Sequence, residues 1–192
     1  MATSESRRYS RQGLWSLFLM CAFPLHVWTI ILAFRDFSWV TERTNAWDAI
    51  GVISYGMVFA LIESLAVFLV AVLLGFMVSR KFDEGRRIAL LSVLVLITAL
   101  WAMASQLYFL WGISLPEQMM RFLAQSGHPV RVLYAASLAL VLPTVLIAAF
   151  LVLKSNKVFN FVRELTERLS LLTMFYLVLD VGGLVIVLIR NL

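Results

Sequence analysis

Five stretches of almost unbroken apolar residues, at roughly 13–34, 50–78, 88–113, 133–153 and 169–189, alternate with short connectors that hold nearly all of the charge. A hydrocarbon core ~30 Å thick needs about 20 helical residues per crossing, and every stretch reaches that length. The pattern therefore predicts an all-α integral membrane bundle of five transmembrane helices, a single polytopic domain over residues 1–192. No convincing internal repeat accompanies the five stretches, so the inverted-repeat architecture of many transporters is not expected.

The connectors refine this plan. Residues 35–49 mix Arg35 and Arg43 with Asp36, Glu42 and Asp48; they read as a tight polar turn, with Thr44 or Asn45 as the cap of a helical turn. Residues 79–87, with Gly85, read as a hairpin that makes spans two and three antiparallel neighbours. Ser114, Leu115, Pro116 and Glu117 form a capping-box pattern, and Gly127 followed by Pro129 supplies a stop. Met119, Met120, Phe122 and Leu123 give the short helix between them an apolar surface, so it is expected to lie on the outer leaflet, or over the bundle mouth as a lid. In the fourth connector Val158, Val162, Leu165 and Leu169 recur at helical spacing. This segment either lies on the membrane surface or runs straight into the last span.

Charge sets the orientation, because cytoplasmic flanks collect Lys and Arg. The N-terminal tail holds Arg7, Arg8 and Arg11; the second connector holds Arg80, Lys81, Arg86 and Arg87; the fourth holds Lys154, Lys157, Arg163 and Arg168. The opposite side has only Arg35, Arg43, Arg121, Arg131 and Arg190. The N-terminus is thus expected in the cytoplasm and the C-terminus outside, with the short helix between spans three and four on the outer face. Trp39, Trp47, Tyr55, Tyr108, Trp111 and Tyr134 fall near the outer boundary, as interfacial aromatics do. Ser6 to Arg11 has a trace of a twin-arginine signal, but the apolar run after it is too long and lacks a cleavage pattern, so it reads as an uncleaved first span.

With 62% hydrophobic and 14% charged residues, nothing but a membrane domain is called for. The net charge of +5 sits beside the spans, so anionic lipid rather than nucleic acid is the expected partner. Cys21 is the sole cysteine, which excludes an internal disulfide and leaves a packed small residue.

Candidate chemistry is confined to a few residues in the spans. Glu63 and Asp180 lie near the middle of spans two and five, where an isolated charge costs at least ~2.5–3.5 kcal/mol. No span offers a Lys or Arg to pair with them. His26 is the one imidazole within a span, and Gln106 and several hydroxyls can donate. Gly56, Ala60, Ser64, Ala71 and Gly75 form a small-residue stripe on span two, bordered by Glu63. Thr173, Tyr176, Asp180 and Gly183 share a face of span five, and Ser92, Ala99, Met103 and Gln106 a face of span three. These predict a polar seam joining Glu63, Gln106, Tyr176 and Asp180, supported by Ser64 and Thr173. His26 and His128 are weak metal candidates, since their spacing matches no ligand motif.

No nucleophile and base pairing, phosphate loop or dinucleotide fingerprint is present, so no catalytic residue and no cofactor is assigned. The expected function is that of a noncatalytic membrane subunit or scaffold acting through helix-face contacts, with another membrane protein or a second copy of itself as partner. The alternative is a proton- or cation-coupled small transporter or channel using Glu63 and Asp180. The expected location is the cell membrane, a prokaryotic plasma membrane being favoured.

Overall fold

The computed structural model describes residues 9–78 and 81–192. Arg7 and Arg8, with the start of the twin-arginine-like stretch, and Arg80 of the second connector lie outside the described residues. The described chain is all-helical, with six helices: α1 Arg11–Arg43, α2 Ala46–Met77, α3 Glu84–Leu110, α4 Glu117–Gln125, α5 Pro129–Lys154 and α6 Asn156–Asn191. All but α4 are long and apolar enough to cross a membrane. A continuous helix pairs its backbone amides within the segment itself, which is what a segment of this length and hydropathy needs to be able to cross a membrane.

Polar side chains set the helix starts. Ser10 Oγ accepts from Gly13 N at 2.9 Å to cap α1, and Asn45 Oδ1 accepts from Asp48 N at 2.9 Å to cap α2. Ser155 Oγ does the same for α6. Pro129 opens α5, where its missing N–H is no loss. Gly127, at φ +69°, makes the left-handed turn that separates α4 from α5.

Helix α1 is the axis of the bundle, in contact with α2, α3 and α6, while α5 flanks α3 and α6 and α4 rests on α5 alone among the described helices. Leu17 and Cys21 of α1 pack with Ala71 of α2 and Leu91 of α3. A second cluster joins Ala89, Leu90 and Val93 of α3 to Val152 of α5 and Val162 of α6. Of the small-residue face of α2, Ala60, Ser64, Ala71 and Gly75 are buried as expected, while Gly56 is half-buried. Close approach is the reason, since a β-carbon at Gly75 would overlap the Tyr9 hydroxyl and stand 2.9 Å from Leu91 Cδ1.

Both ends of the bundle are fastened by arginines. At the end rich in Lys and Arg, the basic end, Arg86 donates to Leu153 O at 2.6 Å and to Asn156 Oδ1, and so ties α3 to the α5–α6 joint. At the far end Arg190 donates to Trp47 O at 2.8 Å and to Asp48 Oδ1 at 2.7 Å, and so ties the end of α6 to the start of α2. Trp39, Trp47, Trp111 and Tyr134 are exposed around that far end.

Two expectations about connectors change, and one left open is decided. The segment expected as a turn over residues 35–49 is helical to Arg43 and resumes at Ala46, so the turn is Thr44 and Asn45 only. Charges there end the apolar surface without ending the helix. Ser114 does not cap α4; Pro116 occupies the cap position, and its ring, which carries no acceptor, makes no side-chain bond. Of its two expected forms, the fourth connector takes the second and runs straight into the last span. Residues 158–169 form the first turns of α6, with Val162 buried against α3 and α5.

Candidate functional site

Two residues past the proline of α1, His26 is fully buried and meets Asp180 of α6, itself 2% exposed. The two lie at matching depth in spans that run the same way: His26 is 13 residues past Gly13, where the first apolar stretch begins, and Asp180 is 11 past Leu169, where the fifth begins. Nδ1 of His26 stands 2.8 Å from Ala22 O, and Nε2 stands 2.8 Å from Asp180 Oδ2. A carbonyl oxygen only accepts, so Nδ1 carries a proton. The Nε2 to Oδ2 bond then needs one further proton, and the pair is neutral overall whichever atom holds it. That neutrality lets two ionisable groups share a dry interior without an isolated charge.

The ring of Tyr176, one turn before Asp180, stacks on His26 with centroids 6.1 Å apart and on Phe23 at 6.4 Å. Phe23 and His26 are one turn apart on α1, so the phenol ring is gripped between them and fixes the imidazole plane. Thr173, fully buried, turns its hydroxyl back to Leu169 O at 2.8 Å. Asp180 Oδ1 is buried with no hydrogen-bond partner. The site therefore keeps one strong acceptor unused at the middle of the bundle.

Glu63 stands elsewhere. It is exposed on α2, with no bonding partner among the described residues, and it lines a groove of about 330 Å³ between α1 and α2. Trp28, Phe37 and Phe59 wall the groove, and Gly56 and Ala60 floor it. Asp36, the other acid there, is paired with Arg35 at 2.8 Å.

The expected polar seam is thus divided. Asp180 and Tyr176 meet at His26, Thr173 lies about two turns away on the same buried face of α6, Ser64 is buried on α2 and bonds back to Ala60 O at 2.6 Å, and Glu63 and Gln106 lie on exposed faces. The physical reason is angular: Glu63 precedes the inward Ser64 by one residue, or ~100° around the helix. His128 is exposed at the cap of α5, while His26 spends both ring nitrogens on Ala22 and Asp180. No group of three His, Cys, Asp or Glu side chains able to hold a metal is found among the described residues. The pairing of His26 with Asp180 was missed in the sequence, although equal depth in parallel spans was a signal for it.

Comparison with protein-family models, with curated proteins and with solved structures gives no match to this chain.

Proposed function

We propose that the protein is a noncatalytic multi-pass membrane subunit, set in a cell membrane with its N-terminus cytoplasmic, that works through contacts along its helix faces. Glu63 carries this reading. A carboxyl group exposed near the middle of a 32-residue apolar helix needs a donor in hydrocarbon, and none reaches it within the described residues. A neighbouring subunit, either a second copy or another membrane protein, would supply that donor. The asymmetry of Lys and Arg supports the orientation. Native mass spectrometry of the protein extracted in mild detergent is expected to give a mass above 21.8 kDa by a whole polypeptide, lost in Glu63→Leu. A single-chain mass for the unaltered protein in every mild detergent sinks the proposal.

A second reading, proton- or cation-coupled transport through Glu63 and Asp180, draws on the unused Oδ1 of Asp180 beside His26. Under it, Glu63→Gln and Asp180→Asn each abolish flux driven by a pH gradient in proteoliposomes. Flux that persists in both variants eliminates it.

A further inference from the structure

Hydroxyls in the middle of helices normally bond back to a carbonyl in the preceding turn. Here Ser54, Ser64 and Thr173 do so, to Ile50, Ala60 and Leu169. Ser92, Thr166 and Ser170 do not: all three are buried, and none of their hydroxyl oxygens has a hydrogen-bond partner. Buried polar groups left in this way are the usual seats of ordered water.

Their positions are not scattered. Thr166, Ser170, Thr173 and Asp180 all belong to the buried face of α6. Thr166 also lines a cleft of about 280 Å³ at the basic end, together with Ser16 of α1, Ile88 of α3 and the charged groups Glu84, Arg163 and Glu167. Ser170 lies one turn deeper than Thr166, and Ser92 one turn deeper than Ile88, so the two partnerless hydroxyls come directly beneath the cleft. Along α6 the steps from Thr166 to Ser170 to Thr173 to Asp180 are roughly 6, 4.5 and 10.5 Å at 1.5 Å per residue. Hydrogen bonds of ~2.8 Å span these steps with one water in each of the first two and about three in the last.

We propose that this face of α6 carries a file of water, opening only at the basic end, through which the His26–Asp180 pair exchanges its proton with that side of the membrane. The inference rests on the membrane placement of the proposed function, and on neither a partner at Glu63 nor net flux. The proton balance is simple. A hydronium at the cleft gives up one proton, each water and the Thr166 and Ser170 hydroxyls receive one and pass one on, and the last is delivered to Asp180 Oδ1; Thr173, whose own proton is held by Leu169 O, only accepts from the file. Return of a proton by the same route restores the starting state. At the inner terminus the groups that titrate are His26 of α1 and Asp180 and Tyr176 of α6. Helices α2, α3 and α5 bring no other ionisable side chain to that depth except Glu63, which faces outward. At the mouth stand Glu84 of α3 and Arg163 and Glu167 of α6, the last two paired at 3.4 Å.

The test is cysteine accessibility in a Cys21→Ala background, with a membrane-impermeant methanethiosulfonate added to one face at a time. Thr166→Cys, Ser170→Cys and Thr173→Cys are expected to react from the basic side, roughly tenfold or more faster than Leu172→Cys and Phe175→Cys on the exposed face of α6, because only a hydrated thiol forms the reactive thiolate. Silence at 170 and 173 overturns the file alone. Equal reaction at all five positions overturns the file together with the bilayer placement of α6. A second measurement leaves the file unaltered: in 15N-histidine-labelled His128→Asn protein in bilayers, the only histidine signal is that of His26. Magnetisation transfer from water to its ring N–H is expected; a ring N–H with no water contact overturns the proposal.

Discussion

Changing His26 to Leu destabilises the protein by about 1–2 kcal/mol, and adding Asp180→Leu costs little more, because the bond is already gone. The size comes from comparing two reference states. In a soluble protein, removing one member of a buried pair strands the other and costs about 3–5 kcal/mol. In the bilayer setting proposed for this protein the separated helices also hold Asp180 in hydrocarbon, so the stranding is largely common to the folded and dissociated states. The remaining loss is the interhelical bond itself, worth ~1–2 kcal/mol in model helices. The Nε2 to Oδ2 distance of 2.8 Å and the near-complete burial of both groups place this pair at the upper end.

Asp180→Asn separates the hydrogen bond from the charge. With Nδ1 donating to Ala22 O, a neutral His26 presents a lone pair at Nε2, and the new amide can donate to it. Asp180→Asn is therefore expected to cost clearly less than Asp180→Leu. Reversible unfolding by sodium dodecyl sulfate in mixed micelles measures all four variants. If the losses from His26→Leu and Asp180→Leu simply add, the two side chains do not stabilise each other and the pairing is wrong.

One geometry explains both the features that the sequence discloses and those that it hides. The five apolar stretches announce the helices that can cross a membrane, because apolar length is a property of each segment alone. Asn45 is legible as a cap, since a short acceptor before a helix start serves one purpose. Arg35, Asp36, Glu42 and Arg43 mislead because they mark the limit of the apolar surface and say nothing of the helix, which continues to Arg43 before Thr44 and Asn45 interrupt it. The division of the acids needs finer resolution. Glu63 and Ser64 are adjacent, yet ~100° of rotation decides which one enters the bundle. The small residues Ala60, Ala71 and Gly75 settle this in favour of Ser64, and Glu63 is left outside. The partnerless hydroxyls are illegible in sequence, since Ser170 and Thr173 differ only in whether a side chain turns back on its own helix.

Adjacent glycines in α6 give the sharpest contrast. At Gly182 a β-carbon meets nothing within 4 Å, whereas at Gly183 it stands 3.3 Å from the backbone oxygen of Ser54 and 3.6 Å from Met57 Cβ. A backbone oxygen cannot swing aside, so a side chain at Gly183 must push α2 away from α6. Gly183→Leu is expected to cost about 1–3 kcal/mol, the usual penalty of overpacking. At Gly182 the only change is better helix propensity, so Gly182→Leu is expected to be neutral or to stabilise by up to about 1 kcal/mol. Gly183 lies one turn beyond Asp180 on the same buried face, so the displaced α6 also strains the bond to His26. The loss in Gly183→Leu should accordingly shrink when His26→Leu has already removed that bond. Equal unfolding midpoints for the two leucine variants would show that α2 and α6 do not cross at Gly183.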